Sequence, residues 1–160
     1  MDISSLDSGP IWLTLQLASV TVMILLAIGT PMAWWLAHTR SKMRVGMEAV
    51  VALPLVLPPT VLGFYLLILL GPNGWIGGPV KALTGAPLSF TFTGLVFAST
   101  LYSLPFVVQP LQSNFESIGS TPMETAESLG ASRWDAFFSV ILPLSRRGYL
   151  TATVLGFAHT

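Results

Sequence analysis

The chain has 160 residues, 52% of them hydrophobic and 9% charged, and its seven basic and seven acidic side chains cancel to zero net charge. Soluble domains carry about 25% charged residues, so the composition excludes an ordinary soluble fold, and zero net charge leaves no bulk attraction for nucleic acid. The absence of cysteine excludes disulfides, Cys-ligated zinc and iron–sulfur clusters.

The charges are clustered. None falls at 8–37, 49–80 or 82–115, and each gap exceeds the ~20 apolar residues that cross a ~30 Å hydrocarbon core. No run of short alternating strands is visible, so the spanning elements are helices. The predicted fold class is all-α: a polytopic transmembrane helical bundle, one domain over 1–160.

The N-terminal tail holds Asp2 and Asp7 and no Lys or Arg. It lacks the basic flank of a signal peptide, and 10–37 is read as a retained first span. Gly29, Ala33 and Ala37 share one face of it, a small-residue stripe suited to close packing within the chain or across a dimer. Trp34 and Trp35 read as anchors at the inner membrane interface, and Trp12 and Trp75 at the outer one, all against membrane lipid.

The second span, 49–70, contains Pro54, Pro58 and Pro59. Each removes a backbone donor and clashes with the preceding turn, so a straight helix is not expected. Two readings stay open: a broken helix lining a substrate path, with the Thr60 hydroxyl as a donor, or a kink that improves packing. The connection 71–89 is rich in turn residues and holds no G-x-x-x-x-G-K-[ST] phosphate loop. A third span follows at 90–112, with Gly94 and Ala98 on one face.

The polar stretch 121–143 stands apart from this apolar background. Thr121, Pro122, Met123 and Glu124 spell a capping box with proline at the first helical position. That helix can run to Leu129, where Gly130 supplies a left-handed stop. Ser132 and Asp135 signal a second start, and Pro143 is expected to bound that helix. The result is a compact elbow with caps at Thr121 and Ser132. Beyond it, 148–160 gives about 20 Å of helix, short of a span, so the chain is expected to be truncated at its C-terminal end.

Basic residues sort by connection. The stretch 38–48 has Arg40, Lys42 and Arg44; 71–89 has only Lys81; 109–148 has Arg133, Arg146 and Arg147. The positive-inside rule places the N-terminus outside and the elbow in the cytoplasm. Neither His38 nor His159 has a carboxylate or second histidine at ligand spacing, so no catalytic residue, metal site or cofactor is expected. The spans hold no acidic or basic side chain, which disfavours proton-coupled transport.

Glu124, Ala126 and Gly130, followed after nine residues by Val140, Ile141, Leu142 and Pro143, resemble the "EAA" loop of ABC-transporter permease subunits. Thr125 and Val140 depart mildly from the pattern. The resemblance implies an ABC importer permease in a bacterial inner membrane, multi-pass, whose elbow docks on a cytoplasmic ATP-binding subunit through Glu124, Ala126, Gly130, Ala131, Leu142 and Pro143. The run 53–65, with Gly71-Pro72-Asn73-Gly74 after it, looks like the molybdate permeases of that family. This implies a second permease copy as homodimer partner, a periplasmic molybdate-binding protein, and ATP hydrolysis in a separate subunit. Sulfate, thiosulfate and tungstate permeases remain alternatives. So does a membrane anchor that recruits a soluble partner without transport.

Overall fold

The computed structural model describes residues 8–160. The tail with Asp2 and Asp7, which informed the outside placement of the N-terminus, lies outside the described residues. The elements are α1 (Ser8–His38), α2 (Met43–Val56), α3 (Pro59–Leu70), α4 (Gly77–Thr84), α5 (Phe92–Ile118), α6 (Thr121–Ser128) and α7 (Arg133–Ala136). A π-helical turn (Phe137–Ile141), α8 (Leu142–Leu144) and α9 (Arg146–His159) complete the chain. By length and apolarity two helices can cross a membrane, Gly9–His38 and Phe92–Ile118, and α2 with α3 makes a third candidate bent by 109°.

The core lies between α1, α5 and α9. Leu25, Ala33 and Leu36 from α1 meet Val107, Val108, Leu111 and Phe115 from α5 and Ala152 from α9, all buried. A Cβ on Gly29 would stand 3.2 Å from a Val107 methyl, and one on Gly156 would stand 2.8 Å from the other Val107 methyl. The small-residue stripe of α1 therefore packs within the chain, against α5. Early and late contacts give the directions: Gly29 meets Val107 and Trp34 meets Phe115, so α1 and α5 run parallel. Tyr149 reaches Thr30 while Gly156 approaches Val22, so α9 runs antiparallel to both.

The bend between α2 and α3 has a local cause. The residue before a proline is pushed out of the helical region. Leu57 precedes Pro58 and Pro58 precedes Pro59, and both are extended, with ψ of 134° and 138°. Two successive extended residues turn the chain. Pro54 does not contribute: it sits inside α2, which runs on to Val56. The break thus belongs to Pro58 and Pro59 alone, a narrowing of the three-proline expectation.

The connection 71–89 is more ordered than its turn-rich sequence suggests. It contains α4, closed by Gly85 in the left-handed region at φ 76°. Gly74 and Gly77 let the loop fold back onto the end of α3, where any Cβ would collide with the carbonyls of Ile68 and Leu70.

Candidate functional site

The elbow grows out of α5. Gly119, at φ 70°, ends that helix, its N–H donating to the Phe115 carbonyl at 3.1 Å. Ser120 is already helical, with φ −87° and ψ −21°, and no side chain caps α6. This corrects the expected capping box. Thr121 lies inside the first turn, so it is not the extended residue a cap requires. The left-handed Gly119 brings the chain into the helix one residue early. Glu124 is exposed, its N–H bonded to the Ser120 carbonyl at 3.0 Å. Its carboxylate remains favourably placed in the first turn, near the positive end of the helix dipole.

The far end of α6 closes in a Schellman motif. Gly130 has φ 93°, its N–H donates to Glu127 O at 3.0 Å, and the Ala131 N–H donates to Ala126 O at 3.1 Å. Nothing lies within 4 Å of where a Gly130 Cβ would be. Only backbone handedness demands glycine there. Ser132 then caps α7: its Oγ accepts from the Asp135 N–H at 3.2 Å and donates to the Asp135 carboxylate at 2.5 Å. Arg133 reaches back to Glu127 at 3.4 Å, joining the two arms.

Pro143 does not bound the second arm. The Leu142 N–H donates to Phe137 O, five residues back, and this widened turn carries the chain past a proline that has no N–H to give. The path continues through α8 and Ser145, whose Oγ donates to Ile141 O at 2.7 Å, into α9. The second arm is therefore the leading end of a nearly continuous helical run. Arg146 and Arg147 open α9 and are exposed.

Aromatic side chains seat the elbow on the bundle. Trp34 meets Phe115 edge-on at 5.1 Å and Phe137 edge-on at 5.2 Å. Met123 packs against the same core, and Ala136 and Ile141 are buried. Trp34 is thus a packing residue beneath the elbow, which corrects its reading as an interfacial anchor. Leu129, Trp134 and Phe138 are respectively 84%, 74% and 57% exposed, with Trp134 stacked on Phe138 at 6.2 Å. Sequence reasoning missed these exposed apolar side chains, although the i, i+4 spacing of Trp134 and Phe138 was a usable signal.

Of the other elbow residues singled out from sequence, Gly130 and Pro143 are exposed, while Ala126, Ala131 and Leu142 are half-buried. Leu142 lines, with Trp34, Trp134, Phe137, Phe138 and Tyr149, an apolar groove of about 700 Å3 between the elbow and α1. None of the four path residues lines the hollow inside the α2–α3 bend. Pro54 is half-buried in α2, and Pro58, Pro59 and Thr60 are exposed at the bend. The hollow inside the bend, about 650 Å3, is lined by residues such as Leu53, Leu57, Leu62 and Tyr65. His159 is a packing histidine, stacked on Phe106 at 3.6 Å and 3.3 Å from Ser103 Oγ.

The chain is thus a helical membrane protein whose polar stretch folds into a capped elbow seated on one end of the helix bundle. The family of binding-protein-dependent transport system inner membrane components matches residues 29–160. The molybdenum transport system permease protein ModB of Azotobacter vinelandii is 59% identical over 160 residues, 100% of this chain and 71% of the relative. Its namesake in Haemophilus influenzae is 36% identical over all of this chain and 68% of its own length. The Escherichia coli K12 protein of that name is 34% identical over 92% of this chain and 65% of its own. The chain belongs to the binding-protein-dependent transport system inner membrane component family: it is a transport component of the inner membrane.

Proposed function

We propose that the chain forms part of the permease through which an ATP-driven importer moves molybdate into the cytoplasm. The observation that carries the reading is the elbow: Gly130 at φ 93° within a complete Schellman motif, at the spacing that the EAA resemblance assigns to ATPase docking. The exposed Leu129, Trp134 and Phe138 supply the apolar area that such docking would bury. Closure of two ATP-binding subunits would push on the elbow, and its seat on Trp34 and Phe115 would pass that push to α1 and α5. A second permease copy would complete the path, and a periplasmic binding protein would deliver the anion.

The choice of anion rests on the relatives. Those of 59%, 36% and 34% identity bear molybdenum transport names. A sulfate permease of Chlamydomonas reinhardtii is 35% identical over 89% of this chain, which makes sulfate the second reading. The test is ATPase activity of the full-length complex in proteoliposomes carrying the binding protein, with molybdate, tungstate and sulfate in parallel. Stimulation and uptake with molybdate are expected. Stimulation by sulfate alone would reassign the substrate. An elbow that binds an ATPase without any uptake would favour the anchor reading.

A further inference from the structure

A second feature at the elbow's end of the bundle ties α2 to α5 through side chains far apart in sequence. The Arg44 guanidinium donates to Glu48 Oε1 at 2.7 Å and to Glu116 Oε1 at 2.5 Å. The Gln112 amide donates to the same two oxygens, at 2.7 Å on Glu48 and 3.1 Å on Glu116. One cation and one amide thus hold two carboxylates from two helices together, a closed ring of four hydrogen bonds. Beside it a polar hollow of about 320 Å3 opens between α2 and α5, lined by Gln109, Ser113 and Ala52 as well as the carboxylates.

The position of the ring matters more than its strength. Val51 is the one fully buried side chain of α2, so apolar packing holds that helix only lightly against α5. Glu116 stands three residues before Gly119, the joint at which α5 gives way to the elbow. At the other end of α2, Leu57 and Pro58 turn the chain by 109° into α3. The ring therefore lies in one chain of contacts that joins the elbow, through the end of α5, to α2 and the bent pair. Partly exposed ion pairs contribute little to folding. A cross-helix ring placed on this route can govern motion without governing assembly.

We propose that the Arg44–Glu48–Gln112–Glu116 ring is a clasp that carries elbow movement to the bent α2–α3 pair, with Arg44 the positioning residue at its centre. This rests on the transport reading above. Neither carboxylate is a substrate contact here; each acts through Arg44.

The experiment uses the full-length permease with its ATPase and binding protein in proteoliposomes, and reads ATP hydrolysed per molybdate taken up. Arg44→Gln should insert and retain the ATPase as the wild type does. Hydrolysis should continue while uptake falls about tenfold. Arg44→Glu combined with Glu116→Arg, which restores a cation between two carboxylates, should recover most of the uptake. A wild-type ratio in Arg44→Gln overturns the clasp and leaves the transport reading standing. Absence of uptake in the wild-type complex overturns the transport reading itself, and the clasp with it. Should Arg44→Gln fail to insert, the double variant decides: insertion recovered without coupling assigns the ring to folding and overturns the clasp.

Discussion

Two apolar regions of this chain behave differently. The α1–α5–α9 bundle is tight: Gly29, Ala33, Ala152 and Gly156 let backbones approach, and Leu25, Val107, Val108 and Leu111 fill what remains. The α2–α3 pair is at least as apolar, yet each of its helices has one fully buried side chain, Val51 and Leu70. Hydrophobicity does not separate them. Small residues at helix spacing produce close packing, whereas paired prolines split the second region into two shorter helices that bury few side chains within this chain.

The comparison breaks most readily at Gly148. A Cβ there would sit 2.6 Å from the Asn114 Cβ and Cγ, so Gly148→Ala must push α9 off α5. Overpacking of this kind costs about 1–3 kcal/mol. The expected outcome is reduced membrane accumulation, measured by quantitative blotting, with every function lost in proportion. Wild-type accumulation would show that the three helices are held more loosely than their contacts imply.

Gly130→Val should be nearly as severe but selective. The left-handed conformation costs a residue with a Cβ roughly 1–2 kcal/mol, and open space around it offers no compensation. Normal insertion with loss of ATPase co-purification is expected, because the elbow touches the bundle through Met123, Phe137 and Ile141 and not through Gly130. Retention of the ATPase at wild-type levels would remove the elbow's handedness from docking.

Replacing Pro58 and Pro59 together by Ala sharpens the contrast from the other side. Without a following proline, Leu57 and residue 58 are free to become helical, and the 109° bend can relax. Uptake should fall while accumulation and ATPase retention hold. Equal loss of all three would make the bend a packing device.

The smallest effect is expected at Glu124. With no capping box, Glu124→Ala loses only the first-turn dipole interaction, about 0.3–1 kcal/mol. Co-purification at low salt should weaken slightly, less than for Ser132→Ala, which removes a real cap worth about 1 kcal/mol.

Local chemistry explains what sequence could reveal. The spans follow from charge-free runs, the bend from Pro58 and Pro59, and the elbow's stop from Gly130, because each is decided within a few residues. Thr121 misled because its pattern is that of a cap, whereas the start of α6 is set by Gly119, two residues upstream. Pro143 misled because a π-helical turn accommodates it. The seat formed by Trp34, Phe115 and Phe137, and the ring joining Arg44 to Glu116, were not legible. Their members come from distant stretches of the chain, Arg44 and Glu116 being 72 residues apart, and no periodicity links them.

Gly119 and Gly130 flank α6 at φ 70° and 93°, and neither would press a Cβ against any atom within 4 Å. Both ends of this short rod are therefore set by chirality and not by volume. A mirror-image residue would be welcome where its natural counterpart is strained. A larger side chain is refused only for its hand, so the elbow's shape is encoded in two bond rotations and not in the surface it presents.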